Sequence, residues 1–172
     1  MTNAKTTASQ THTIAPVFDK HSRVLILGSF PSVKSREGNF FYHHPQNRFW
    51  RLLALVLGAE PPATIAEKRS LLLTHRIALW DVIASCDIAG SDDNSIHNVQ
   101  PNDLSHILNA APISKIYLNG GKAYALYQKY MQKGISLPAV KLPSTSPANA
   151  RYSLEKLYES WQQIAEELRS NQ

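Results

Sequence analysis

Val24-Leu25-Ile26-Leu27 is an unbroken apolar run that stops at Gly28. A strand with one wet face alternates polar and apolar residues. Four large apolar residues in a row instead require cover on both faces, the condition of a parallel sheet. Ile116-Tyr117-Leu118, Ala139-Val140-Lys141-Leu142 and residues 77–82 read as further strands of this kind. Between them lie helical patterns. Phe49, Trp50, Leu52, Leu53, Val56 and Leu57 share one face of a helix that starts near Asn47 and stops at Gly58. A second helix follows Pro61-Pro62 through Leu73, and a short one spans residues 101–108. Gly120-Gly121 turns into a helix striped by Ala123, Leu126, Tyr127, Tyr130 and Met131. Leu154, Leu157, Tyr158, Trp161, Ile164 and Leu168 mark a long final helix. The polar segments after Gly28 through about Gln46, and residues 87–98, read as loops. Strand and helix alternate, so the expected fold is α/β: a three-layer sandwich with a central, mainly parallel four-stranded sheet.

With 172 residues, 43% of them hydrophobic, one compact domain is expected over residues 19–172. Residues 1–18 are polar and Thr-rich and read as a loose tail. The single cysteine, Cys86, cannot build a disulfide framework and points to a reducing, cytoplasmic setting. No run of 18 apolar residues exists to span a membrane. The net charge of +5 is unevenly spread. Residues 20–51 carry six Lys/Arg against one acid, and residues 115–156 seven against one; the middle, 52–114, carries three against seven. Such segregation suits a polyanion footprint on one face, although lysines scattered for solubility also produce it.

In open parallel sheets ligands lie beyond the carboxyl ends of the strands. The loops after Leu27, Val82, Leu118 and Leu142 therefore converge on one crevice. Dinucleotide, P-loop, serine-elbow and zinc patterns are absent, so neither a cofactor nor a metal is expected. What the loops do hold is amides, hydroxyls and aromatic rings. Ser29 and Phe30 leave the first strand in a Gly28-Ser29-Phe30-Pro31-Ser32 turn whose N–H groups can approach a base edge. The run from Phe40 to Trp50 concentrates aromatic faces, Asn47 and Arg48. Rings stack on any base, and an amide can bond a base edge or hold a water. Each residue has a plainer reading too: Phe49 and Trp50 as core, Asn47 as a helix cap, Asn119 as a turn residue. Ser144, Ser146, Asn149 and Arg151 could grip phosphates or simply cap the last helix.

Together GSFPS, YHHPQNRFW, LWDVIASC, IYLNGGKA and LPSTSPANAR resemble the uracil-DNA glycosylase superfamily, and within it the hypoxanthine (deoxyinosine) branch, over residues 22–168. Two departures stand out. Phe30 falls where mismatch-specific uracil enzymes, with GINPG, place a catalytic Asn, and Leu142 falls where the classical enzymes carry a His. The resemblance implies base flipping and hydrolysis of the N-glycosidic bond of a deaminated base, hypoxanthine above uracil. It implies Asn47 as the catalytic amide, with Asn39 as its rival. Tyr42, Asn119, Ser29 and Phe30 would bind the base; Ser144, Ser146, Asn149 and Arg151 would contact DNA. The implied partner is double-stranded DNA met by a monomer, nucleoid-associated in a bacterium. A uracil-preferring enzyme and a catalytically inactive binder of damaged DNA are the alternatives.

Overall fold

The computed structural model describes residues 6–170. Its centre is a four-stranded sheet built from β2 (Val24–Gly28), β3 (Ile77–Asp81), β6 (Lys115–Asn119) and β7 (Ala139–Leu142), in the spatial order β3-β2-β6-β7. All three pairings are parallel. The α/β expectation therefore holds, and the apolar run explains it. Val24 and Ile26 face one core with Ile77, Leu79 and Tyr117, while Leu25 and Leu27 face a second core with Ala78, Ile116 and Leu118. Every residue of β2 is buried. Each such aliphatic side chain withdrawn from water contributes about 2 kcal/mol.

The first core is roofed by α2 (Phe49–Leu57), α3 (Ile65–Thr74), α6 (Leu154–Trp161) and α7 (Gln163–Ser170). The second is covered by α4 (Ser105–Ala110), α5 (Gly121–Tyr130) and a hairpin of β4 (Ile83–Ala89) with β5 (Asp92–Pro101). The third helix begins after Thr64, whose hydroxyl accepts from the Glu67 N–H while the Glu67 carboxylate accepts from the Ala63 N–H. This reciprocal cap, not the preceding prolines, sets the start of α3.

Several segments differ from the sequence expectation. Residues 8–18 are not a loose tail. Ala8–Thr11 form β1, antiparallel to β4, and Val17 exchanges backbone hydrogen bonds with Leu79 at the edge of β3. Thus the N-terminal segment joins a three-stranded sheet, β1-β4-β5, to the central one. Buried Ile14 and Val17 anchor it, two apolar residues too isolated to show a period. Residues 1–5 and 171–172 lie outside the described residues. Residues 87–98, expected as a loop, belong mostly to the hairpin. Their strand is almost wholly polar because it is mostly wet, and three register shifts erase any clean alternation. A short helix, α1 (Val33–Gly38), interrupts the first long loop, and the final helix breaks at Gln162.

Candidate active site

Register places the carboxyl ends of the strands side by side: Gly28 pairs with Asp81, and Asn119 with Leu142. Beyond them opens a cavity of about 350 Å³. Its floor is Gly28 and Asp81; one wall is Ser29, Phe30 and Pro31 with Asp93 of the hairpin; another is Tyr42, Asn47 and the loop Ser144–Ala148. Ser29, Phe30, Tyr42, Asn47, Asn119, Ser144 and Ser146 are thereby brought together. Asn39, Asn149 and Arg151 do not line the cavity. Asn39 ends α1 in a left-handed conformation (φ 51°), its N–H bonded to the Ser35 carbonyl and its side chain exposed. Asn tolerates that backbone better than other non-glycine residues. Asn149 turns its amide back onto the Ser144 carbonyl, and Arg151 projects into solvent.

Asn47 is fixed in orientation. Its Oδ1 accepts both the Phe49 backbone N–H (2.9 Å) and the Thr145 hydroxyl (2.9 Å). A backbone N–H can only donate, so the oxygen must face α2. The amide NH₂ is left without a partner among the described residues. The helix-entry role and a catalytic role are therefore compatible: oxygen for the fold, nitrogen for a ligand. Thr145, fully buried, continues the chain of bonds. Asn119 Nδ2 donates to its hydroxyl (3.0 Å), and the Thr145 N–H donates to Asn119 Oδ1 (3.0 Å). Asn119 is consequently a brace for the loop. The positive φ next to it belongs to Gly120 (φ 101°), where a Cβ would also meet Ser144 at 3.0 Å.

Arg48, which the motif placed beside Asn47, is a clamp. Its guanidinium donates to the carbonyls of Thr145, Ser146, Asn149 and Tyr152. Four loop carbonyls converge on one cation, and Trp161 Nε1 secures the Pro143 carbonyl at the loop's start (2.9 Å). Ser144 and Ser146 hydroxyls accept from the N–H groups two residues on, shaping the same loop. Ser153, not Ser144, Ser146 or Asn149, caps the final helix.

Tyr42 adopts a left-handed backbone (φ 52°) and stacks on Phe49 with ring centroids 4.1 Å apart. One ring face is thus occupied by the core. Its hydroxyl is buried beside the Asn119 amide, with no hydrogen bond of good geometry among the described residues, and a Cβ on Gly28 would lie 2.7 Å from it and 2.5 Å from Asp81 Oδ1. Only glycine fits there. Burial, reinforced by the Asp81 carboxylate, pushes the phenol far above its usual range, so Tyr42 remains a neutral donor. Asp93 is exposed as a residue, yet its carboxyl lies against the cavity wall, where the Ser29 hydroxyl reaches it at 3.4 Å. Loss of hydration raises its pKa despite that hydrogen bond and Lys122. Burial likewise raises the Cys86 thiol to about 11, which leaves it an unreactive core residue.

Asp81, Thr145, Asp93 and His12 were not legible as site residues. Asp81 left one trace, a charge ending the apolar strand run. His12 left none, since its partner is 69 residues away. Among the described residues no three His, Cys, Asp or Glu side chains gather as a metal site, and no helix is long and apolar enough to cross a membrane.

A fully parallel sheet whose strand ends close over a cavity of amides, hydroxyls and rings defines the class. The chain belongs to the uracil DNA glycosylase superfamily, whose family model matches residues 15–169. Among its relatives is a hypoxanthine DNA glycosylase from Methanosarcina acetivorans, 33% identical over 86% of this chain and 93% of that one. Another, from Methanosarcina barkeri and named likewise, is 33% identical over 85% of this chain and 92% of its own. A solution NMR structure of a Methanosarcina acetivorans protein assigned as a uracil DNA glycosylase superposes with a TM-score of 0.78. That match has 33% identity and covers 91% of this chain and 96% of the other.

Proposed function

We propose that the chain is a monofunctional DNA glycosylase that removes hypoxanthine from deoxyinosine in duplex DNA. Two relatives matched over most of their length are named hypoxanthine DNA glycosylase. The observation that carries the chemistry is the orientation of Asn47, with its oxygen held by Phe49 and Thr145 and its NH₂ left for a ligand. Flipping the nucleotide into the cavity costs a few kcal/mol, less where pairing is already poor. The C1′–N9 bond then breaks, its electrons pass to the base, and the sugar becomes oxocarbenium-like. Asn47 Nδ2 donates to the oxygen of a water and holds it toward C1′. With both acceptor positions of Oδ1 occupied, the amide is not a base. The released proton passes to bulk water, and positioning supplies most of the rate. Backbone N–H groups of the turn after Gly28 stabilise charge on the departing base. Ser144, Ser146 and Arg151 present the loop to the phosphate backbone, and Asn149 braces that loop through its amide on the Ser144 carbonyl. The enzyme acts as a monomer on double-stranded DNA in the cytoplasm, at the nucleoid.

The test is release of hypoxanthine from a deoxyinosine duplex at enzyme excess, read as alkali-labile strand scission beside uracil and xanthine duplexes. Scission of the deoxyinosine strand supports the proposal, and an intact strand refutes it. A uracil duplex cut faster than the deoxyinosine one assigns the uracil-preferring alternative. Phe30 in place of the customary Asn favours a second reading, a binder of damaged DNA without catalysis. Tight damage-dependent binding with no abasic product would establish it.

A further inference from the structure

Asp81 is the only buried Asp, Glu, Lys or Arg among the described residues, and it forms part of the cavity floor. A carboxylate in such a place needs partners. Its Oδ2 has one: His12 Nε2 at 2.7 Å, with both side chains almost wholly buried. The proton on that bond can be assigned. His12 Nδ1 accepts the Ile14 backbone N–H (3.2 Å), so the ring's own hydrogen is on Nε2 and points at Asp81. Phe30, Phe41 and Trp80 surround the imidazole with ring centroids about 6 Å away, which leaves it little freedom to turn. Asp81 Oδ1, by contrast, has no hydrogen-bond partner among the described residues and lies over Gly28, whose missing side chain keeps the space open. Oδ1 is therefore the oxygen that faces the cavity and is open to a ligand donor.

We propose that Asp81 reads the base and that His12, which precedes the part of the chain matched by the family model, is the residue that positions it. Deamination of adenine converts ring N1 from a lone-pair acceptor into an N1–H donor next to a carbonyl. With Oδ2 held by His12, Asp81 presents an acceptor at Oδ1 and accepts that N1–H. An unmodified adenine in the same pose turns a lone pair toward the carboxylate and is repelled. Uracil carries the equivalent N3–H, so this contact separates hypoxanthine from adenine and uracil from cytosine, whereas guanine and thymine, which carry the same ring N–H, are told apart elsewhere in the cavity. Sites built to bond a substrate N–H reject analogues lacking it far more strongly than apolar pockets reject a missing methylene. The N-terminal strand thereby becomes part of the recognition apparatus.

This inference rests on the hypoxanthine reading, and its test is separable from that one. Affinities of the full chain are measured for duplexes with uncleavable 2′-fluoro nucleotides bearing hypoxanthine or unsubstituted purine, which lacks N1–H. The preference is compared between variants, so that intrinsic pairing differences cancel. Wild type favours hypoxanthine; Asp81→Ala lowers that preference at least tenfold, and His12→Ala lowers it several-fold. The double variant behaves like Asp81→Ala alone. His12→Gln, which keeps a donor toward Oδ2, retains most of the preference. Because the readout is a ratio, partial loss of folded protein does not shift it. If Asp81→Ala does not fold, the two His12 variants decide. An unchanged preference in Asp81→Ala or His12→Ala overturns the inference. Failure of wild type to release hypoxanthine would instead overturn the proposed function.

Discussion

In the proposed mechanism Asn47 serves fold and chemistry through different atoms. Its oxygen closes the entry to α2 and its NH₂ is the group proposed to hold the water, so the two roles separate by substitution. Asn47→Asp keeps the acceptor and removes the donor. Single-turnover excision should fall about 100-fold, the worth of one fixed donor at roughly 3 kcal/mol, while the melting temperature changes little. Asn47→Ala should lose the same activity and in addition about 1 kcal/mol of stability with the acceptor for the Phe49 N–H and the Thr145 hydroxyl. Asp93 makes a pH prediction. Its folded pKa lies above the ordinary 3.8 because its carboxyl loses hydration. The native state therefore binds a proton more readily than the unfolded chain. The sign follows: stability falls as pH rises from the unfolded value through the raised one. Asp93→Asn should melt slightly higher than wild type at pH 7. The gain should vanish below pH values near the ordinary carboxylate pKa, as calorimetry across that interval would show.

Between α2 and the last loop, Arg48 does what no periodicity announces. Charge-assisted bonds contribute about 1.5–3 kcal/mol each where the geometry is good, and they are not additive here because the loop moves as a unit. Arg48→Met retains the aliphatic stem and releases four carbonyls. Stability should fall by about 2–3 kcal/mol, and amide exchange at Thr145 and Asn149 should accelerate ahead of the β2 and β6 amides. Uniform protection across loop and sheet would contradict the clamp. The motif around Asn47 and Arg48 was visible in the sequence, whereas the division of labour was not. Both roles depend on residues about 100 positions away. The hairpin was missed for a related reason. Its strands pair with each other and with β1 and leave a wet polar face, so the two-residue period that betrays a strand was never required.

At the scale of the whole molecule, the charge pattern acquires a geometry. The two basic segments supply the walls carrying Ser29, Asn47 and Ser144, while the acidic middle contributes Asp81 and Asp93. Affinity for duplex DNA should fall about tenfold between 50 and 200 mM salt, the loss expected for two neutralised phosphates. A flat response in a titration would place the DNA elsewhere. The sequence alone determined the sheet, because four consecutive buried apolar residues leave a strand no solvent-facing side. It also determined where the strands end, and hence where the loops meet. Only the tertiary structure decided which atoms face the cavity. Hydrogen bonds from Phe49 and Thr145 orient Asn47, the loop fold turns Asn149 away, and a strand read as a tail delivers His12 to Asp81. Local pattern encodes burial, which is a property of neighbours in sequence. A site is made by directions and distances between residues that the chain keeps far apart.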